Sequence, residues 1–295
     1  MNISIIGASG FVGKNLISYL LKNTEHHICA ISRNPQNIEI EDKYKNRLKI
    51  IKADASNYEQ MHEFLSGTDI AYYLVHRLSC CCDKLYREES EIAKATGRAL
   101  KDNEVKRVIY LSGLGDDRDQ LSLHLKSRHN TGRILREYVP NTIEFRASII
   151  VGEGSISFEI IKDIVNKAPI ILLPKKAKTE TEPITIDDVL LYLSSVINVE
   201  LDGNEIVEIG GPEIMTYEEL LRKYRNFKNK KTPILIIPFL KEETAGSLLS
   251  FFTSKDRAIV GQNMIKSFEN KMIVTNNKAE ELFPNIKPMR IENRF

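Results

Sequence analysis

Hydrophobic and polar positions follow two alternating patterns along the first half of the chain. Short runs rich in Ile, Val and Leu, typical of buried strands, separate longer segments with apolar residues every three or four positions, typical of amphipathic helices. The pattern predicts strands over 3–6, 28–32, 48–52, 70–74, 107–111 and 142–146, and helices over 11–22, 58–65, 83–102 and 122–138. It therefore predicts an α/β fold with a doubly wound parallel sheet of the Rossmann type.

The pattern changes after residue 146, where glycines and prolines break the chain into shorter pieces. We therefore divide the chain into a doubly wound core over 1–147 and a smaller C-terminal α/β substrate lobe over 148–295, whose elements can return to the core sheet. Within this lobe, 175–182 is predicted as a loop and 233–240 as a buried strand. Capping boxes starting at Thr185 and Thr216 predict helices over 189–197 and from 217 onward.

Composition limits the partners of the chain. Its 295 residues are 42% hydrophobic and 28% charged, as in an ordinary globular protein, and a net charge of +2 is too small to attract nucleic acid. Basic residues bunch over 222–231, which we interpret as the solvated end of a helix. No apolar run approaches the roughly 18 residues of a membrane span, and the N-terminus does not resemble a secretion signal.

The four cysteines are Cys29 and the consecutive Cys80, Cys81 and Cys82. This spacing is typical of neither a disulfide framework nor a zinc site, so we predict no metal and a reducing, cytoplasmic location. Adjacent cysteines make poor chelators, and ordinary reduced side chains are the simpler interpretation of the run. A redox thiol in this loop is the alternative.

A glycine-rich turn follows the first predicted strand and opens the first predicted helix. Gly7, Gly10 and Gly13 have G-x-x-G-x-x-G spacing, which permits a tight turn, close approach of backbone to a pyrophosphate, and close helix packing. The helix N-terminus adds N–H donors. The turn therefore predicts a dinucleotide site, although glycines also serve purely structural turns. The predicted contacts are Gly7, Ser9, Gly10, Phe11, Val12 and Gly13.

The end of the second strand discriminates between dinucleotides, because a carboxylate there favours the ribose hydroxyls of NAD(H) and repels a 2′-phosphate. This chain has Ser32, Arg33 and Asn34, with no acidic residue before Glu39. Arg33 offers a positive fork suited to the phosphate, with two further donors beside it. We therefore favour NADP(H) over NAD(H), the alternative being a surface arginine without a ligand.

Position along the chain predicts further cofactor contacts. Asp54 and Ala55 follow the third strand, where a short turn meets the adenine. Leu74, Val75 and His76 end the fourth strand beside the expected ribose path. A lone histidine is more often a surface residue, and that alternative stays open for His76.

With these segments in hand, the sequence resembles atypical extended short-chain dehydrogenase/reductases, in particular the NmrA-like, YbjT-like bacterial group. The resemblance covers most of the chain and is less distinctive in the C-terminal third. It implies a Rossmann core with a small substrate lobe and bound NAD(P)(H), but no particular reaction. The segments that carry it, besides the glycine turn and 54–55, are 72–76, 110–116, 124–128, 145–152, 182–189 and 209–212.

Catalysis in this superfamily uses a Tyr-x-x-x-Lys pair on one helix and a serine or threonine after the fifth strand, and a suitably placed pair is missing here. The corresponding helix carries His124 and Arg128 at the same spacing, and the strand-end position is either Ser112 or, one residue later, Gly113. His124, with an unperturbed pKa near neutrality, could act as proton donor to a carbonyl, and Arg128 could hold phosphate or ribose. A site that only binds is the open alternative.

Arg146 corresponds to an arginine that opens the substrate lobe in extended members, so the resemblance implies contact with substrate. It could instead tie the sixth strand to the helix carrying Asp187 and Asp188.

Two functions remain open from the sequence. The first is an NADP(H)-dependent oxidoreductase or epimerase-like enzyme that moves a hydride to or from a small molecule between the two lobes. The second is a non-catalytic NADP(H)-binding protein, a redox sensor or assembly factor with a protein partner. The absent Tyr-x-x-x-Lys pair motivates the second.

Overall fold

The computed structural model describes residues 1–76 and 82–295, with the side chains of 82 and 83 left out of the description. The Cys80–Cys82 run, with its expected reduced thiols, thus lies outside the described side chains.

The strands are β1 (Asn2–Ile6), β2 (His27–Ser32), β3 (Leu48–Lys52), β4 (Ile70–Tyr73), β5 (Arg107–Gly113), β6 (Thr142–Ala147), β7 (Ile150–Val151), β8 (Ile171–Pro174), β9 (Glu180–Thr181), β10 (Ile184–Thr185), β11 (Glu205–Ile209), β12 (Met215–Thr216) and β13 (Ile234–Ile237). The α-helices are α1 (Phe11–Asn23), α2 (Tyr58–Phe64), α3 (Cys82–Asp102), α4 (Leu123–Tyr138), α5 (Ile156–Lys167), α6 (Ile186–Ser195), α7 (Tyr217–Phe227), α8 (Glu242–Leu249), α9 (Lys255–Ser267) and α10 (Lys278–Leu282).

A seven-stranded parallel sheet forms the centre of the molecule, in the order β11-β6-β5-β4-β1-β2-β3. The first six strands in the sequence alternate with helices, so crossovers place helices on both faces. Strands β4 and β6 are buried at every position, as expected for the middle of such a sheet. The predicted Rossmann-type α/β fold and its six strands are confirmed.

Strand β11 is the seventh strand of this sheet, although it follows the lobe elements in sequence. It pairs in parallel with β6, with Ile209 opposite Ala147. Helix α6 also returns, because Val189 and Leu193 pack in the same apolar cluster as Leu16 and Leu20 of α1. The chain between 148 and 204 therefore leaves the sheet and comes back to it.

A second apolar core lies in the remaining C-terminal elements. It joins residues of α5, α7, α8 and α9 to the parallel pair β8–β13, with Phe158, Leu220 and Tyr224 fully buried at its centre. Short pairs β7–β10 and β9–β12 connect this core to the sheet. Within the described residues, no helix is both long and apolar enough to cross a membrane.

Several predictions for the lobe need correction. Segment 175–182 is not a loop, because it contains a 3-10 helix at Lys175–Lys178 and strand β9. Helix α6 begins at Ile186, three residues before the predicted start, since Thr185 is itself the N-cap and accepts a hydrogen bond from the Asp188 amide. Strand β13 exists but is not buried as predicted. Among the described strands it pairs with β8 alone, and Leu235 is 46% exposed.

Candidate functional site

The glycine turn joins β1 to α1 in a tight backbone path. Gly7 has φ +89°, and a Cβ there would lie 2.7 Å from the Leu74 carbonyl carbon, so only glycine fits. A Cβ on Gly13 would lie 2.7 Å from the Ala8 oxygen. Gly10 is the N-cap of α1, and none of the side chains that the structure describes caps this helix end. The first-turn amides of α1 are thus open to an anion.

The end of β2 lies against this turn. The Ser9 and Ser32 hydroxyls are hydrogen-bonded at 2.6 Å, and Ser32 Oγ also accepts the Asn34 amide at 3.1 Å. Arg33 is exposed and has no ion-pair partner in the part of the chain that the structure describes. A cation without an internal carboxylate is available for an anionic group of a ligand.

Asp54 and Ala55 form the turn after β3. Asp54 Oδ1 accepts hydrogen bonds from the Ser56 amide at 2.9 Å and hydroxyl at 2.8 Å. The Ala55 carbonyl accepts the Thr96 hydroxyl of α3 at 2.8 Å. These bonds fix the backbone of the turn against α3, so its shape depends little on a ligand.

Two adjoining cavities follow the carboxyl ends of the strands. The first, which we call the distal cavity, has a volume of about 160 Å³ and lies at the ends of β1, β2 and β3. The second, the central cavity, has a volume of about 430 Å³ and continues past α1 toward the second core. Gly10, Leu74 and His76 line both, so the two are neighbours.

All fourteen residues predicted to contact a cofactor line one of these cavities. Those on the distal cavity, including the three it shares with the central one, are Gly7, Ser9, Gly10, Ser32, Arg33, Asn34, Asp54, Ala55, Leu74, Val75 and His76. Those on the central cavity alone are Phe11, Val12 and Gly13. An extended dinucleotide has the shape that such a pair of linked cavities accommodates.

Ser112 lines the central cavity near the end of β5. Its hydroxyl is buried and makes no well-aligned hydrogen bond within the described residues. The neighbouring Tyr110 hydroxyl, which donates to the Arg128 carbonyl at 2.9 Å, also interacts with Ser112. A buried hydroxyl without a partner is costly. A polar atom of a ligand in the central cavity would satisfy it.

His124 lines the same cavity from the first turn of α4. Its ring lies edge-on to His76, with centroids 4.9 Å apart. Burial, followed by unfavourable electrostatic interaction with the His76 imidazole and the Arg128 guanidinium, lowers the pKa of His124 to about 3. The pKa of His124 is thus shifted far below that of an unperturbed histidine, and at neutral pH the ring is an uncharged hydrogen-bonding group.

His76 is part of a buried polar group rather than a surface residue. Its Nδ1 is 2.7 Å from Glu89 Oε1, and the Ser127 hydroxyl donates to the other carboxylate oxygen. Burial alone would raise the pKa of Glu89. The hydrogen bond from His76 and nearby positive charges outweigh burial and lower this pKa to about 2. A carboxylate only accepts, so the proton of His76 sits on Nδ1. The ring orientation is thereby fixed beside His124.

Arg128 lines the central cavity but is largely committed to the protein. Its guanidinium donates to the Leu111 carbonyl and lies 5.0 Å over the Tyr110 ring. Its charge still lowers the pKa of both His76 and His124. It therefore acts on the cavity through its field.

Arg146 is directed elsewhere. Its Nε bonds the fully buried Glu144 at 2.9 Å, and its NH1 bonds Asp117 at 2.9 Å. The described lining of the central cavity does not include it, and its partners are not the α6 carboxylates either, since Asp187 pairs with Arg294. Arg146 instead ties β6 to the loop after β5.

Sequence reasoning missed two sets of residues. Glu89 could have been found, since it falls four residues from both Leu85 and Ala93 on the buried stripe of α3, where a charge needs a partner. The lobe side of the cavity carried no motif, because it is assembled from separate elements. Its members include Ile149, Ile156, Tyr217, Val260, Met264 and Met272. The sequence contains a single Tyr-x-x-x-Lys spacing, at Tyr224 and Lys228, but Tyr224 is buried in the second core.

Comparison with known proteins agrees with this geometry. Residues 7–147 match a family model described as NAD(P)H-binding. A comparison with curated protein sequences gives no match.

Solved structures of similar fold cover almost the whole chain. Triphenylmethane reductase of Citrobacter sp., complexed with NADP(H), has a TM-score of 0.76 at 14% identity, covering 99% of this chain and 98% of that one. NADPH-dependent quinone oxidoreductase of Escherichia coli, complexed with NADPH, has 0.75 at 16%, covering 99% and 97%. A nucleoside-diphosphate-sugar epimerase of Staphylococcus aureus has 0.75 at 16%, covering 99% and 98%. Residues 7–147 of the chain thus resemble NAD(P)H-binding proteins, and the whole chain has the fold of these two reductases and this epimerase.

Proposed function

We propose that the chain is an NADP(H)-dependent reductase that transfers a hydride to a small, electron-poor acceptor in the central cavity. The observation that carries this proposal is the Ser112 hydroxyl, which is buried and lacks a well-aligned partner among the described residues, in the cavity that the glycine turn also lines. It marks the place where a polar atom of a substrate would sit. The cofactor would supply the hydride, and the residues of the chain would bind and orient both molecules.

The distal cavity supports the choice of NADP(H). Its strand-end residues are Ser32, Arg33 and Asn34, with no carboxylate among them. The open amides of α1 would hold the pyrophosphate, and Arg33 the 2′-phosphate. Two of the similar structures, the quinone and triphenylmethane reductases, contain NADPH or NADP(H).

The ability of side chains in the central cavity to give or take a proton favours one class of acceptor. Reducing an ordinary carbonyl, or oxidising a sugar hydroxyl as an epimerase does, requires a group that gives or takes a proton near neutral pH. His124, with a pKa near 3, carries no extra proton to give and is a weak base. A quinone takes a hydride to give a hydroquinone monoanion, which then takes its proton from solvent, and a delocalised cation takes a hydride to give a neutral product. Neither needs a simultaneous proton from the protein. Ser112 would donate a hydrogen bond to the charge that develops on the acceptor oxygen.

The test is NADPH oxidation by the full-length chain over a panel of quinones, triphenylmethane dyes and aldehydes. We expect turnover with the first two classes and little with aldehydes. Ser112→Ala should lower kcat about 100-fold while changing the Kd for NADPH by less than about two-fold, since one transition-state hydrogen bond is removed. Ser4→Ala is the matched control, because Ser4 is a buried core serine bonded to Thr68 and lines neither cavity.

A non-catalytic sensor predicts a different result. Such a protein would bind NADPH and oxidise it with no member of the panel. Binding without turnover would overturn the reductase proposal in favour of a redox sensor or assembly factor.

A further inference from the structure

A third cavity lies inside the second core. It has a volume of about 170 Å³ and is bounded by α5, α7, α8, α9 and β8. We call it the apolar pocket, because every described lining side chain is hydrocarbon or thioether except that of Tyr217, and Gly261 adds only backbone. The Tyr217 hydroxyl bonds Met272 Sδ at 3.1 Å and so has a partner in the protein. The pocket therefore offers a ligand no evident polar group.

The apolar pocket adjoins the central cavity. Ile149, Tyr217 and Met264 line both, so these three side chains form the boundary between them. Ile170, which also lines the pocket, is 40% exposed, so this part of the pocket lies near the surface. The pocket thus lies between the cavity that holds Ser112 and the outside of the lobe.

Such a space is unusual in a packed core. Unfilled apolar volume destabilises a protein in proportion to its size, and natural cores are packed nearly without voids. A dry cavity of about 150 Å³ lined by Leu, Ile and Phe is known to bind benzene. The apolar pocket has a similar size and lining, so it fits a benzene-sized group or a chain of about six carbons.

We infer that the reductase substrate carries an apolar tail, which occupies the apolar pocket while the reducible head group lies beside Ser112 and His124. This inference rests on the proposed function and adds the substrate class to it: an amphiphilic acceptor with a hydrocarbon substituent. The tail enters the pocket between Ile149, Tyr217 and Met264. A tail longer than about six carbons leaves past Ile170, where further carbons meet water.

The experiment measures binding rather than turnover. Isothermal titration calorimetry of the NADP⁺-saturated chain uses 1,4-naphthoquinone and its 2-propyl, 2-hexyl and 2-dodecyl derivatives. Each buried methylene should tighten binding about four-fold. We therefore expect the hexyl compound to bind at least about 100-fold more tightly than the parent quinone, and the dodecyl compound to gain little more.

Two variants locate the tail. Ala245→Phe fills the pocket from α8, and Ile170→Glu places a charge at its rim, where a partly exposed position tolerates the change in folding. Both variants should remove most of the gain in affinity that the hexyl group gives. Both should change the Kd for the parent quinone by less than about two-fold. Leu235→Glu is the control, since Leu235 is similarly exposed on β13, outside the described lining of the pocket.

The inference is overturned if the Kd values of the hexyl and parent quinones differ by less than about three-fold. It is also overturned if Ile170→Glu and Leu235→Glu change the Kd of the hexyl quinone by the same factor. A parallel assay of NADPH oxidation separates this from the proposed function. If the parent quinone turns over but the alkyl substituent gives no gain in affinity, the tail is refuted and the reductase proposal stands. If affinity rises with alkyl length but no quinone turns over, the pocket assignment stands and the reductase proposal is refuted.

Discussion

Arg33 is a single exposed side chain on which the cofactor preference depends. Arg33→Glu replaces a cation by an anion where we place the 2′-phosphate, so Kd for NADPH should rise about 10- to 100-fold, while Kd for NADH changes little. Fluorescence titration of both cofactors measures this. Lys49→Glu makes the same charge change on β3, away from the distal cavity lining, and should leave both affinities unchanged. A preference for NADPH that survives Arg33→Glu would refute the assignment.

His124 should make the stability of the fold depend on pH. Its pKa falls from 6.5 when unfolded to about 3 when folded, because the site buries it beside positive charge. Between these values the unfolded chain binds more protons, so the free energy of unfolding should fall as the pH is lowered from 6.5. Between pH 6.5 and 5, wild type should lose about 1–2 kcal/mol of its free energy of unfolding through His124. His124→Gln should not show this part of the loss.

Urea denaturation at several pH values measures this dependence. His27→Gln, at an exposed position on β2, is the comparison. Parallel pH curves for wild type and His124→Gln would show that the ring is not held in its neutral form.

Helix α1 is the element on which the dinucleotide site depends, and Gly13 sets its distance from the glycine turn. A Cβ at this position would meet three backbone atoms of Gly7 and Ala8 within 2.9 Å, none of which can rotate away. Gly13→Ala should therefore lower the free energy of unfolding by about 1–3 kcal/mol and weaken NADPH binding at least about ten-fold. Lys14→Ala, the next and exposed residue of the same helix, should do neither. Denaturation and cofactor titration of both variants provide the check.

Elements of the sheet were predictable where a pattern of burial repeats in the sequence. Strand β4 is buried on both faces and appears as a continuous apolar run, and the glycine turn marks the end of β1. Strand β11 was not predicted, because Glu205 and Glu208 interrupt its apolar pattern. Glu208 is buried only because it accepts the Thr275 amide and hydroxyl, a partner 67 residues away that no local pattern reveals.

At the scale of the whole molecule, the site divides into a predictable and an unpredictable half. The cofactor side is built from strand ends, whose positions follow from the order of elements, and all fourteen of its predicted residues line the two cavities. The substrate side is built from α5, α7 and α9, which meet only through the packing of the second core. Residues such as Tyr217 and Met264 serve packing and the cavity at once, so their sequence pattern shows only the first.

The position of β11 also sets an order of events during synthesis. Strand β6 is complete at Ala147, but its neighbour on the outer side begins only at Glu205. At about 5–20 residues per second, the ribosome needs seconds to deliver the missing strand. Throughout that interval the nascent sheet presents an open row of backbone donors and acceptors on β6, which could pair with another chain. Slower translation of 148–204 would lengthen this exposure. A chaperone, or rapid collapse of the second core, would reduce the chance that β6 pairs with another chain.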